Sequence, residues 1–179
     1  MLSASLYCGF SSANARQLAD ELHFADRSTN LGEVIPRMPR VPYIVEQFVA
    51  GRELTVGVAD MGEGAFALPV IEIEVDPGRE FDYAGKYLGS GTREICPANI
   101  PDAMRLEAQT TALAAHLALG CDGYSRSDMI AVADDEIYFL ELNTLPGLTT
   151  SSLVPQELRA AGIGFRDFLE RQIALARKR

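Results

Sequence analysis

Apolar and polar positions alternate along most of the chain after residue 43, and the period lengthens to about 3.6 in only two long stretches. Period two marks strands and 3.6 marks helices. On this basis residues 43–49 form a strand, Ala50-Gly51 a turn and residues 53–60 a second strand. A third strand covers 66–75 and stops at Asp76-Pro77-Gly78. Residues 81–97, with Gly85, Gly89 and Gly91, read as extended or looped. The clearest helix spans 102–119, with Asp102 as N-cap, Leu106, Leu113 and Leu117 near one stripe, and Gly120 just past its end. Residues 124–143 form a hairpin turning at Asp134-Asp135, followed by a hydroxyl-rich loop over 144–152. A last helix covers about 165–177, with Phe168, Leu169, Ile173 and Ala176 as its buried stripe. Upstream, 12–24 suits a helix capped by Ser12, and Pro36, Pro39 and Pro42 make 26–42 an irregular connector. The expected fold class is α+β, an antiparallel sheet packed with helices on one side.

The hairpin carries the first chemical signal. Arg126, Asp128, Ile130 and Val132 share one face of its first strand, and Ile137, Phe139, Glu141 and Asn143 share one face of its second. A two-residue turn sets Asp128 opposite Glu141 and Arg126 opposite Asn143. Facing carboxylates weaken a sheet. A hard divalent cation held by oxygens relieves the repulsion, with Asn143 offering a third oxygen. The inference requires an even loop length, because an odd one puts the carboxylates on opposite faces. The plainer reading, a solvated pair shared with Arg126, stays open on pattern alone.

Composition narrows the classes. The 179 residues fit one domain or two small lobes, and an apolar content of 47% can fill a core. A net charge of −9 argues against nucleic acid as a partner. Cys8, Cys96 and Cys121 are odd in number and widely spaced, as expected of reduced thiols in a cytoplasmic protein. No apolar run approaches a membrane span, and no basic stretch opens the chain as a secretory leader does.

Other candidates are individually weaker. Gly147 permits close backbone approach, and Thr149, Thr150, Ser151 and Ser152 offer hydroxyls. An ordinary polar loop has the same composition. Lys86 is the only lysine before Lys178, and it is read either as a phosphate-binding cation or as a surface residue covering Phe81, Tyr83 and Tyr87. Glu46 and Glu53 flank the first turn and could accept hydrogen bonds from a base or a sugar. His23 and His116 lack partners at metal or nucleophile spacing and are read as structural, and Cys96 and Cys121 as core residues.

Several runs together resemble the C-terminal half of the D-alanine–D-alanine ligases, members of the ATP-grasp superfamily. They are Val45-Glu-Gln-Phe-Val-Ala-Gly-Arg-Glu-Leu-Thr-Val56, Leu68-Pro-Val-Ile-Glu-Ile73, Phe81-Asp-Tyr-Ala-Gly-Lys-Tyr87 and Ile95-Cys-Pro-Ala98. They continue through Ala118-Leu-Gly-Cys-Asp-Gly-Tyr-Ser-Arg-Ser-Asp128, Phe139-Leu-Glu-Leu-Asn-Thr-Leu-Pro-Gly-Leu-Thr149, Ser152-Leu-Val-Pro155 and Ala161-Gly-Ile-Gly-Phe165. The likeness covers about 43–177, so 43–179 is expected to be a C-terminal ATP-grasp lobe. Residues 1–42 are then a divergent helix and connector, a candidate remnant of the central lobe.

The resemblance implies ATP and D-alanine as substrates, Mg²⁺ or Mn²⁺ as cofactor, and a peptide bond made through an acyl phosphate for peptidoglycan precursors. It implies that Glu46, Gln47 and Val49 line the adenine, Glu53 holds the ribose and Lys86 meets the phosphates. It places Tyr87, Arg126 and the Gly147 N–H at the reacting centre, the metal on Asp128, Glu141 and Asn143, and the second D-alanine on Ser152 and Leu153. Departures accompany it: Ala84-Gly85 stands where the family has Glu-Ala, and neither the family's N-terminal lobe nor its phosphate loop is recognisable. The isolated chain is therefore expected to be inactive unless the missing lobes are supplied in trans or on a full-length chain, and a homodimer is the other candidate assembly. A non-catalytic nucleotide-binding or dimerisation module, or a ligase for another carboxylate and amine, are the alternatives.

Overall fold

A computed structural model describes residues 4–8, 23–25, 36, 43–47, 49–75, 92–132 and 136–177. It divides into two compact units, the first holding 1–50 and 75–92 and the second holding 51–74 and 93–179.

The first unit contains β1 (Ala4–Cys8), β2 (His23–Ala25) and β3 (Tyr43–Gln47). β1 lies between the other two and pairs antiparallel with both, Ala4 facing Ala25 on one side and Gln47 on the other. The helix expected over 12–24 is thus contradicted at its end, where His23 and Phe24 belong to a strand. The rest of it lies outside the described residues.

The second unit is built on β4 (Arg52–Asp60), β5 (Ala65–Ala67), β6 (Ile71–Val75), β7 (Thr92–Ile95), β8 (Tyr124–Ala131) and β9 (Ile137–Asn143). Their order is β7-β6-β4-β8-β9, with β5 also on β4. The expected third strand is interrupted between β5 and β6, and β7 forms where only an extended or looped segment was expected. β4 is buried without interruption from Leu54 to Ala59, because both of its faces are covered.

On one face Leu54, Val56, Val58, Met129 and Ala131 pack with Val70 and with α1 (Asp102–Ala118). On the other, Ala59 and Leu68 pack with α2 (Leu153–Ala160) and α3 (Phe165–Ala176) through Val154, Leu158 and Phe168. Tyr124 adds an edge-to-face contact with Phe168, ring centroids 5.4 Å apart. The helices therefore sandwich the sheet rather than sharing one side.

α1 starts one residue earlier than expected, with Pro101 as the cap and Asp102 as its first residue, ion-paired to Arg105 at 2.8 Å. Its buried stripe is Met104, Ala108, Ala112 and His116, while Leu106 and Leu117 are more than 60% exposed. Small residues at four-residue spacing let the helix lie close to the sheet. Its end follows the expected glycine: Gly120 has φ +62°, its N–H bonds Leu117 O, and the Cys121 N–H bonds His116 O. His116 donates to or accepts from Ser125 Oγ at 2.8 Å, and burial pushes its imidazole pKa down against the pull of Asp60, as suits a structural histidine. Cys96 and Cys121 are half-buried free thiols rather than core residues. Among the described residues no helix is long and apolar enough to cross a membrane.

α2 was not among the expected elements, and it carries a proline, Pro155. Pro155 sits in the first turn, however, where the missing N–H costs nothing. In α3 only Phe168 is fully buried; Ile173 is 54% exposed and Ala176 is exposed. Replacing Phe168 by Ala is accordingly expected to cost about 3–5 kcal/mol in urea unfolding. Ile173→Ala should change stability by no more than about 0.5 kcal/mol. Equal losses at the two positions would contradict this packing.

Candidate active site

The pairing of β8 with β9 decides which side chains meet. Val132 donates its N–H to Glu136 O at 2.8 Å, leaving 133–135 between them, an odd count rather than the expected two-residue turn. Ala131, Ile130 and Met129 then face Ile137, Tyr138 and Phe139. The register shifts before Asp128, which faces Glu141, and Arg126 faces Asn143. Leu140 is the extra residue of a β-bulge, and the bulge restores the carboxylate pairing that an odd turn alone would have broken. It also changes the faces: Ile137 and Phe139 side with Met129 and Ala131 toward α1, whereas Glu141 and Asn143 side with Asp128 and Arg126. The expectation that all four β9 residues share a face is overturned.

Asp128 is the centre of the resulting cluster. Arg126 donates from Nε to Oδ1 at 2.8 Å and from Nη2 to Oδ2 at 2.6 Å. Thr55, directly opposite on β4, donates its hydroxyl to Oδ1 at 2.6 Å. Asn143 Nδ2 reaches Asp128 Oδ2 at 3.3 Å and Glu141 Oε1 at 3.2 Å. The Arg126 and Asp128 side chains are both about three-quarters buried. Burial opposes the Arg126 charge, but the hydrogen bonds and charge of Asp128, with Glu157 and Glu141, outweigh it and hold the guanidinium pKa above its usual value.

Beneath the cluster lies Glu157 of α2, fully buried. Its Oε1 accepts the Gly57 N–H at 2.7 Å, a donor left unpaired in the ladder by the break between β5 and β6. Its Oε2 has no hydrogen-bond partner. Gly57 makes this approach feasible, since a Cβ there would stand 2.3 Å from Glu157 Oε2 and 2.9 Å from Leu68 Cδ1. Burial pushes the Glu157 pKa well above the carboxylate range, with the Gly57 N–H and Arg126 acting against it. Burial, followed by the same Glu157, raises the Cys96 thiol to about 11, so Cys96 is no nucleophile at neutral pH.

The 144–152 loop follows β9 directly. Its hydroxyls engage one another: Thr149 Oγ1 and Ser152 Oγ are 2.7 Å apart, and Ser152 Oγ accepts the Thr149 N–H at 3.1 Å. Gly147 lies against Ser152, as a Cβ there would stand 2.8 Å from its Oγ. Leu153 begins α2. A cavity of about 430 Å³ opens beside this loop, lined by Leu148, Thr149, Thr150, Arg159, Ile163 and Phe165 among others. None of the Asp128 cluster lines it, so the cavity is not where the charges converge.

Of the remaining candidates, Glu53 lies on the Asp128 face of β4, opposite Ile130. Glu46 and Gln47 lie on β3 in the first unit, where only the backbone is described, and half-buried Val49 follows them. Lys86 and Tyr87 lie outside the described residues. Among the described residues no three His, Cys, Asp or Glu side chains gather as a metal site. Asp128 and Glu141 with the Asn143 amide form instead a mixed set of oxygen donors, which suits a hard cation that keeps some of its water.

Residues 38–174 match the family model described as D-ala D-ala ligase C-terminus. The chain belongs to the D-alanine–D-alanine ligase family. It is 48% identical over 124 residues to the D-alanine–D-alanine ligase of Bordetella petrii, a match covering 69% of this chain and 38% of the relative. With the ligase of Desulfovibrio desulfuricans it shares 48% over 132 residues, 74% of this chain and 42% of the relative. The solved D-alanine–D-alanine ligase of Bacillus anthracis complexed with ATP superimposes with a TM-score of 0.71 at 24% identity, covering 98% of this chain and 53% of that one. The chain spans about two fifths of the length of the curated relatives it matches. The antiparallel sheet with its three helices is the C-terminal ATP-grasp lobe of this ligase family.

Thr55, Gly57 and Glu157 were not foreseen from sequence. A signal for Glu157 existed: it falls on the apolar side of Val154 and Leu158 at helical spacing, where a carboxylate is out of place. Its raised pKa has a testable sign. A carboxyl that binds its proton more tightly when folded stabilises the protein fully below the unfolded pKa, about 4.3. That contribution is lost as pH rises through the folded value. Glu157→Gln keeps an oxygen for the Gly57 N–H and has no charge to bury. Urea melts across pH should therefore show wild type losing stability relative to Glu157→Gln above about pH 4.3. Parallel profiles would refute burial of an ionisable group there.

Proposed function

We propose that this chain supplies the metal- and nucleotide-binding side of an ATP-dependent ligase that joins two D-alanine molecules. The observation that carries the reading is the convergence of Arg126, Asp128, Glu141 and Asn143 on one sheet face, immediately before the Gly147 loop, in a chain of this family. The family relatives are named for that reaction, and the Bacillus anthracis enzyme was crystallised with ATP.

In this reading the carboxylate of one D-alanine takes the terminal phosphoryl group of ATP, releasing ADP. The amine of a second D-alanine then attacks the acyl phosphate, and phosphate leaves as the amide forms. Negative charge builds on phosphoryl oxygens in the first step and on the acyl oxygen in the second. Asp128, Glu141 and Asn143 hold Mg²⁺ or Mn²⁺, which supplies neutralisation of the phosphate oxygens when bound. Arg126 steadies the transferred phosphoryl group, with Lys86 on the ATP phosphates and Tyr87 beside the reacting carboxylate. The Gly147 N–H donates to the acyl oxygen. Ser152 and Leu153 receive the second D-alanine. Glu46, Gln47 and Val49 line the adenine, and Glu53 takes the ribose hydroxyls.

Calorimetry with Mg-ATP tests the nucleotide side. Wild type is expected to bind, and Asp128→Ala to bind at least about tenfold more weakly, since it removes the central oxygen donor. No heat from either protein sinks the reading. The matched relatives are more than twice as long as the matched stretch. D-alanine-dependent phosphate release is therefore expected near background for these 179 residues, and robust release would show that they suffice.

A further inference from the structure

The Asp128 carboxylate has no acceptor position left. A carboxylate offers about four lone-pair sites. Here Oδ1 takes Arg126 Nε and Thr55 Oγ1, and Oδ2 takes Arg126 Nη2 and Asn143 Nδ2. A cation can reach these oxygens only by displacing a donor. Thr55 is neutral, and Asn143 can turn its amide oxygen inward. Arg126 carries a like charge and holds both oxygens, so it is the donor that must yield. A guanidinium about three-quarters buried cannot yield to nothing, because an unpaired charge there is costly.

The neighbouring helix offers a place. Arg126 faces Gly57 across the β4–β8 ladder, and directly opposed residues share a face. On that face, over Gly57, lies the Glu157 carboxyl, whose Oε2 is buried and unpartnered. Glu157 is near enough for its charge, once the carboxyl is ionised, to favour the Arg126 guanidinium. The other carboxylate in its field is Glu141, which belongs to the cation set itself.

We infer that Glu157 is a positioning residue for Arg126, the second acceptor that takes its guanidinium when Asp128 is given over to a divalent cation. The pair Asp128 and Glu157 then works as two berths for one arginine. The exchange keeps the guanidinium over the sheet while the carboxylate it leaves becomes a ligand. The inference rests on the proposed cation site at Asp128 and adds to it a residue on α2.

Magnesium alone, without nucleotide, is the probe, so that no phosphate competes for Arg126. Mg²⁺ affinity is measured by calorimetry for wild type, Glu157→Gln, Glu157→Ala and Asp128→Asn, and the Arg126 Nε–H signal is followed by ¹⁵N NMR. Affinity should fall in the order wild type, Gln, Ala, with Ala about tenfold weaker than wild type, the usual effect of losing a residue that orients a ligand. In wild type the Nε–H signal should shift on Mg²⁺ addition yet stay protected from exchange, whereas in Glu157→Ala it should broaden into exchange. Equal affinities and equal Nε–H behaviour in these three proteins, with binding abolished by Asp128→Asn, would overturn the role of Glu157 and leave the cation site standing. Binding absent from wild type, or unaffected by Asp128→Asn, would overturn the cation site and this inference with it. The wild-type spectrum decides even where a variant fails to fold: an Nε–H released to fast exchange by Mg²⁺ contradicts a second berth.

Discussion

Two carboxylates stand opposite each other on adjacent strands, and their repulsion is the constraint that the surrounding structure answers. Asp128 is met by an arginine fork, a threonine hydroxyl and an asparagine amide; Glu141 shares the amide. As a stability device the arrangement is poor. Exposed ion pairs are worth about 0–1 kcal/mol, and buried ones often fail to recover their desolvation cost. Apolar residues at these positions would hold β4, β8 and β9 together at least as well. Charge kept where it does not stabilise points to chemistry.

The layers on either side divide the work. The α1 face is a dry packing surface of aliphatic strand residues against an alanine-lined helix. The α2–α3 face is apolar only around Phe168, and it gives way to the charged cluster. The Gly57 N–H shows how the two parts connect. The break between β5 and β6 leaves that donor without a strand partner, and α2 answers it with a buried carboxyl. One helix thus seals the core with Val154 and Leu158 and sets a titratable group beneath Arg126 with Glu157.

Much of this was legible from residues alone, though not always for the right reason. The alternation from residue 43 onward located the strands, and the family likeness put Arg126, Asp128, Glu141 and Asn143 together. The facing of Asp128 and Glu141 was correct, yet the even turn inferred for it was not. A strand pattern carries no mark for a bulge, because an extra leucine in an apolar run resembles its neighbours. On α1 the leucines drew attention by hydropathy, but close approach to a sheet selects small residues, and Ala108 and Ala112 took the buried face. Thr55 and Gly57 gave no warning, because their importance is made by what lies across the ladder and above it.

The bulge at Leu140 has a consequence for how this lobe can vary. The turn is odd and the ladder beyond it is offset by one, so two irregularities cancel before Glu141 is reached. Neither can change alone. A one-residue insertion or deletion in the turn would propagate along β9 and carry Glu141 and Asn143 to the α1 side unless the bulge were lost at the same time. Loop tips generally tolerate length changes well. This one is coupled to a site several residues away, so changes of length are permitted here only in compensating pairs, and the hairpin's length is inherited with its chemistry.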